Sequence, residues 1–273
     1  MDKFFAMRFV FLFVTTILFL EFYSLSKTGT RNRPVISTFR FQQLSFDLAS
    51  WIIQIWIFSE VVIVVQSLNP TVSEFFQPLR ETFTIDINGL FPQSYVGFAI
   101  SLVIFLGLWD FFQYWTHRLL HYKKVYDYLH RFHHGSRMYI LTTFRHHPFE
   151  ILFVNFTITI PTASTYAVVF PSGSFTMFWQ IATIQSLLLH SDLTFPRIPI
   201  IRHLILLPNH HSIHHQLGVT RTSNFGQYFT VWDRLFRTYA DPFRSKVDGA
   251  TTGRYYSLSE NVAQLFGRDF AKQ

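Results

Sequence analysis

The stretch Trp109-Asp-Phe-Phe-Gln-Tyr-Trp-Thr-His-Arg-Leu-Leu-His121 closes a long apolar run and opens a histidine cluster. Asp110, Tyr114, His117 and His121 follow one another at spacings of 4, 3 and 4. At about 100° per residue these side chains form a stripe roughly 60° wide on one helix face. Two imidazoles one turn apart on such a face, with Cβ atoms about 5–6 Å apart, address a common point. Asp110 and Tyr114, lower on the stripe, are placed to orient them. The stretch predicts a membrane helix that ends in metal ligands.

Two further clusters repeat that spacing, His130-Arg-Phe-His133-His134 and His211-Ser-Ile-His214-His215. All 13 histidines lie between His117 and His215. Neutral imidazole suits iron, zinc, copper and nickel, and helical spacing lets each cluster bring two or three rings to one point. His147 and His190 fall between the clusters and are available to complete a site. One ion takes about four to six donors, so two metals are the simplest account.

The chain is 49% hydrophobic and 19% aromatic with 34 Phe, and only 14% charged, the profile of an integral membrane protein. It has no cysteine, which removes disulfides, iron–sulfur clusters and thiolate-ligated haem. The formal charge of +7 is not gathered into a basic stripe with stacking aromatics, so nucleic acid is not the expected partner.

Five segments are apolar enough to enter a bilayer, where about 20 residues span the hydrocarbon: 4–24, 48–68, 94–115, 149–170 and 174–190. The first lacks a small-residue cleavage pattern and reads as an anchor. The last two read as a hairpin around Pro171-Ser-Gly-Ser174. Every Lys and Arg except Lys3, Arg8 and Arg80 then falls in loops on one side, together with all the histidine clusters, and the positive-inside rule makes that side cytoplasmic. The expected architecture is all-α, a multi-span membrane bundle under a cytosolic, histidine-rich di-metal cap. Its parts are N-terminal spans and loops over 1–93, a catalytic region over 94–245 and a C-terminal tail over 246–273. Phe229-Thr-Val-Trp-Asp-Arg-Leu-Phe236 reads as an interfacial helix anchoring the cap. Arg118, Arg131 and Arg145 are expected to pair with carboxylates such as Glu150 or Asp233, or to meet headgroups.

Rival metal chemistries lack their motifs. There is no His-Glu-x-x-His for a zincin and no Glu-x-x-His pair in the spans for a carboxylate di-iron bundle. A bis-His haem needs ligands facing each other deep in the spans, whereas these clusters lie beyond span ends. A histidine-rich metal transporter is the alternative from another class, with Glu60 and Gln54 its only mid-span polar candidates.

The three boxes, at 117–121, 130–134 and 211–215, resemble those of the membrane-bound fatty acid hydroxylase and sterol desaturase superfamily. The words Arg145-His-His147-Pro-Phe-Glu, His190-Ser-Asp-Leu, Ser223-Asn-Phe-Gly and Val231-Trp-Asp-Arg-Leu-Phe-Arg-Thr238 match as well. The resemblance spans about 95–240. It implies ten metal ligands, His117, His121, His130, His133, His134, His147, His190, His211, His214 and His215, supported by Asp110, Tyr114, Asn224 and Asp233. His146, His203 and His210 are left over, although His210 stands i,i+4 to His214 and spacing alone accepts it. Arg237 stands where the family has glycine.

The resemblance further implies two iron ions, with zinc in overproduced protein, and dioxygen as co-substrate. The reaction would be hydroxylation or desaturation of a bilayer lipid, whether sterol, acyl chain or ether lipid. No nucleotide-binding glycine motif or fused cytochrome word is present, so electrons come from a separate donor, cytochrome b5 or a ferredoxin-type protein, with its reductase. The compartment is an endoplasmic reticulum or a bacterial inner membrane. A catalytically silent lipid-binding relative is disfavoured because all ten matched histidines are present.

Overall fold

The computed structural model describes residues 38–67, 94–154, 174–191, 195–216, 223–244 and 256–267, with a few isolated positions besides. Most of the predicted spans 4–24 and 149–170 lies outside the described residues. Among those described the chain is helical and forms no named strand, and an isolated antiparallel bridge joins Ile205 and Phe229.

Helix α1 runs Thr38–Ser67 and α2 Tyr95–Leu120. A helical turn, Lys123–Val125, and a π-helical turn, Tyr126–His130, lead into α3, Arg131–His134. A 3₁₀ turn, Ile140–Phe144, precedes α4, Pro148–Val154. Then come α5 (Ser174–Leu189), α6 (Ile201–Leu204), α7 (Pro208–His214), α8 (Val231–Leu235) and α9 (Leu258–Leu265). Helix α1 begins ten residues before the predicted 48–68 span, and the expected interfacial helix over 229–236 shortens to α8 because Phe229 is held in the bridge.

Among the described residues one helix, α2, is long and apolar enough to cross a membrane. At 1.5 Å per residue its 26 residues extend about 39 Å. Ser94 caps it by accepting from the Gly97 amide at 3.1 Å. Val96, Ile100, Val103, Ile104, Leu108, Trp115 and Leu119 are exposed along one side. The other side buries Leu102, Phe105, Leu106 and Trp109 with Ala182 of α5 and Tyr228. Each such large apolar side chain, fully buried, contributes about 1.5–3 kcal/mol. A second cluster, Tyr139, Ile140, Leu141, Phe144 and Leu187, packs on Leu44 and Trp51 of α1.

A buried polar network ties α1 and α9 to the second histidine box. Asp47 on α1 accepts from Arg145 Nη1 at 3.1 Å, from the Tyr139 hydroxyl at 2.6 Å and from Gln43. Arg145, wholly buried, also donates to the Phe132 carbonyl and to Gln264 of α9. Its partner is thus Asp47, not the expected Glu150 or Asp233, both of which are occupied elsewhere. Arg118 meets the Tyr114 hydroxyl and the Trp115 ring, and Arg131 donates to the Gly267 carbonyl. Residues 256–267, expected as part of a tail, fold onto α1, where the amides of Tyr256 and Leu258 donate to Gln43 and Gln42.

Candidate metal centre

Nine histidines converge in two adjoining groups. His117, His121, His130, His134 and His214 form one, and His133, His190, His211 and His215 the other; within each, one ring nitrogen per residue lies within 4.8 Å of the rest. Helical geometry sorts them. The i,i+4 pairs His117/His121, His130/His134 and His211/His215 each share a group, whereas His133 and His214, three residues on from His130 and His211, belong to the opposite one. The second and third boxes are therefore split between the groups, which corrects the expectation that each cluster serves one point. The groups abut through stacked rings, His134 on His215 at 4.2 Å and His130 on His133 at 5.1 Å.

The outer nitrogens are fixed by hydrogen bonds. His117 Nδ1 lies 2.9 Å from the Phe225 carbonyl, His214 Nδ1 2.8 Å from that of Ser223, His133 Nδ1 3.2 Å from that of Arg145 and His190 Nδ1 2.9 Å from that of Ser186. His130 Nδ1 meets Glu150 Oε1 at 2.7 Å. Facing carbonyls and a carboxylate, Nδ1 carries the proton and Nε2 presents its lone pair inward.

Those inward nitrogens test the fit to a metal. The Nε2 atoms of His133 and His190 are 3.1 Å apart, those of His190 and His211 3.0 Å, those of His211 and His215 3.1 Å, and those of His130 and His134 3.2 Å. Donors at about 2.0–2.1 Å around one ion lie roughly 2.9–3.4 Å from each other. His133 and His190, both protonated at Nδ1, set two lone pairs face to face, which only a cation or proton between them relieves. His214 Nε2 is buried with no hydrogen-bond partner. Burial, then neighbouring imidazoles, hold His133, His134, His211, His214 and His215 well below the ordinary 6.5, hence neutral as ligation requires. The residues fit two cations.

The supporting loop 223–230 hangs from two buried carboxylates. Asp110 accepts from the amides of Gln227, Tyr228 and Phe229 at 2.6, 3.0 and 2.9 Å. Asp233 accepts from the amides of Phe225 and Gly226 at 2.8 and 3.0 Å and from Thr238 Oγ1 at 2.7 Å. Burial raises the Asp233 carboxyl, partly offset by these donors. Gly226 has no room for a side chain: a Cβ there would lie 2.7 Å from Leu206 and from the Phe229 carbonyl. Asn224, at φ 56°, bonds the carbonyls of His210 and Ala240 and the amide of Ala240. Tyr114 meets Thr238 Oγ1 at 2.9 Å. Asp110 thus acts on the loop, and Tyr114 on Thr238 beyond it, rather than on an imidazole.

The structure places His147 in neither group: its Nδ1 accepts from the Phe149 amide at 3.2 Å and its ring stacks on Phe149. His146 instead lies at the edge of the centre, parallel to His133 at 4.7 Å and bonded to Glu150 Oε1 at 2.9 Å. Burial lowers its pKa, but the Glu150 charge and hydrogen bond raise it above the ordinary value overall. His210 turns away, Nδ1 on the Leu207 amide and Nε2 on the Tyr239 hydroxyl, and His203 pairs with Arg234. Sequence reasoning did not single out Glu150 as the partner of His130; its place two residues after His-Pro, in α4 facing the second box, was the available signal.

A cavity of about 210 Å³ opens against both groups, lined by His117, His130, His133, His190 and His211 and by Leu120, Ile151, Val154 and Leu189. A metal centre at the head of a partly apolar cavity is suited to chemistry on an apolar molecule.

The family model described as fatty acid hydroxylase matches residues 102–238. The chain is 33% identical over 221 residues to lathosterol oxidase of Mus musculus, covering 78% of this chain and 69% of that protein. It is 31% identical over 141 residues to a Delta(7)-sterol 5(6)-desaturase of Gibberella zeae, covering 51% and 37%. It is 33% identical over 159 residues to a sphingolipid C4-hydroxylase of Schizosaccharomyces pombe, covering 57% and 51%. No solved structure matches the chain. The chain therefore belongs to the fatty acid hydroxylase family and is an oxidoreductase of the fatty acid hydroxylase and sterol desaturase superfamily.

Proposed function

We propose that the protein is a membrane-bound di-iron enzyme that hydroxylates or desaturates a bilayer lipid with dioxygen and external electrons. The observation that carries this reading is the pair of adjoining histidine groups at the head of one partly apolar cavity. The five-histidine group would hold one iron and the four-histidine group the other, with zinc substituting in overproduced protein, since imidazole sites do not choose strongly by affinity. Bound iron would supply dioxygen activation against an unreactive C–H bond. The chain's own part is to fix each imidazole through a carbonyl or Glu150, to keep the rings neutral and to hold one carbon of the lipid against the centre with water excluded.

The apolar exposed face of α2 and the charge distribution support a multi-span topology with the histidine region cytoplasmic, in an endoplasmic reticulum or a bacterial inner membrane. The names of the relatives support a sterol or sphingolipid as substrate. Electrons would arrive from cytochrome b5 or a ferredoxin-type donor and its reductase.

The test is reconstitution with donor, reductase and a sterol and acyl-lipid panel, followed by lipid mass spectrometry. Oxygen-dependent product that vanishes in His117→Ala is expected. Metal flux into sealed vesicles without such product would favour a transporter.

A further inference from the structure

Among the described residues, three polar groups on the cavity wall have no protein hydrogen-bond partner, one on a carboxylate and two on neutral side chains. Gln54 Nε2 donates to the Phe144 carbonyl, Gln227 to the Ala182 carbonyl, and Glu150 takes His130 and His146 on Oε1 while its Oε2 is buried without a partner. The two neutral groups are the Gln113 amide and the Ser186 hydroxyl, which line the same cavity and hydrogen-bond to no other group among the described residues. Both occupy the same register. Gln113 stands four residues before His117 on α2, and Ser186 four residues before His190, at the end of α5. Each therefore sits one helical turn, about 5.4 Å, from a histidine of the centre.

An amide carries two donors and an acceptor, and a hydroxyl one donor and two lone pairs. A lipid filling this cavity with hydrocarbon alone would strand both groups away from water, whereas one bearing an oxygen would satisfy them. We infer that Gln113 and Ser186 form a polar subsite that selects lipids carrying a hydroxyl or carbonyl oxygen within a few bonds of the reacting carbon. The register sets the distance: one turn corresponds to about three or four bonds between that oxygen and the carbon facing the histidines. The inference rests on the cavity being the lipid site, and what it adds to that reading is the pair of residues that recognises the lipid's oxygen.

The test measures binding, without dioxygen or donor, so that it succeeds or fails independently of catalysis. Purified, metal-loaded protein in nanodiscs is titrated with matched probes: cholest-7-en-3β-ol against cholest-7-ene, dihydrosphingosine against its 3-deoxy analogue, and hexadecanol against hexadecane. Wild type is expected to prefer the oxygenated member of at least one pair by about ten-fold. Gln113→Leu should reduce that preference to near unity, mainly by weakening the oxygenated probe, and Ser186→Ala should reduce it in part, both with metal content unchanged. Equal binding within every pair by wild type, or an undiminished preference in the Gln113→Leu, Ser186→Ala double variant, overturns the subsite. Loss of turnover with the binding preference intact would count against the oxygenase reading alone.

Discussion

The carbonyl of Phe225 lies 2.9 Å from His117 Nδ1, while the amide of the same residue donates to Asp233 at 2.8 Å. One peptide segment thus links a buried carboxylate to the orientation of an imidazole more than a hundred residues away in sequence.

Asp233→Ala removes the acceptor for two amides and the Thr238 hydroxyl together. Freed of that anchor, loop 223–230 no longer fixes His117 and His214. A loss of roughly 10–100-fold in metal affinity is expected. Chelator competition followed by metal analysis measures it, and retention of wild-type affinity would contradict the role given to the loop.

Asp47 and Arg145 are both wholly buried, so removing one strands the other's charge. Asp47→Asn is expected to cost about 3–5 kcal/mol, and the paired change Asp47→Leu, Arg145→Met considerably less. Denaturant unfolding of the three proteins decides. Because the Arg145 carbonyl faces His133, Asp47→Asn should also release metal from the four-histidine group first.

Arg237 is exposed and held at φ 60°, a left-handed conformation that costs a side-chain-bearing residue about 1–2 kcal/mol. Arg237→Gly should raise the melting temperature by about 2–4 °C without altering metal content. An unchanged or lower melting temperature would mean that the guanidinium contributes more than the strain costs.

His147→Ala is expected to leave both metals bound, because its ring packs on Phe149 outside the groups, while His133→Ala should deplete the four-histidine group. Metal stoichiometry of the two variants separates the ligand set implied by the family words from the one the geometry supports.

Acid should destabilise the metal-free protein. Five buried histidines titrate well below 6.5 in the fold, and each regains about 6.5 on unfolding. Below about pH 6.5 the unfolded chain binds more protons than the folded one, so stability present at neutral pH is lost as pH falls, by up to about 1.36 kcal/mol per pH unit for each group. Thermal melts of the metal-free protein from about pH 8 to pH 5 check this; a flat profile would contradict it.

The sequence by itself determined the family, the helical class and the histidines to watch. Spacings of three and four residues are short-range facts of the helix, and three such boxes in order are legible without a fold. It also marked Arg237 and Asn224, the two residues besides glycine described at positive φ, through the words around them. What it left open was how the rings divide. Whether His133 joins His130 or His190, whether His146 or His147 approaches the centre, and whether Arg145 finds Glu150 or Asp47 depend on how α1, α5 and α9 pack around the second box. Adjacent helix positions point about 100° apart, so His133 and His134 had to face different sides. Only the elements brought to each side by tertiary packing, separated from the box by tens to more than a hundred residues, decide what those sides contain.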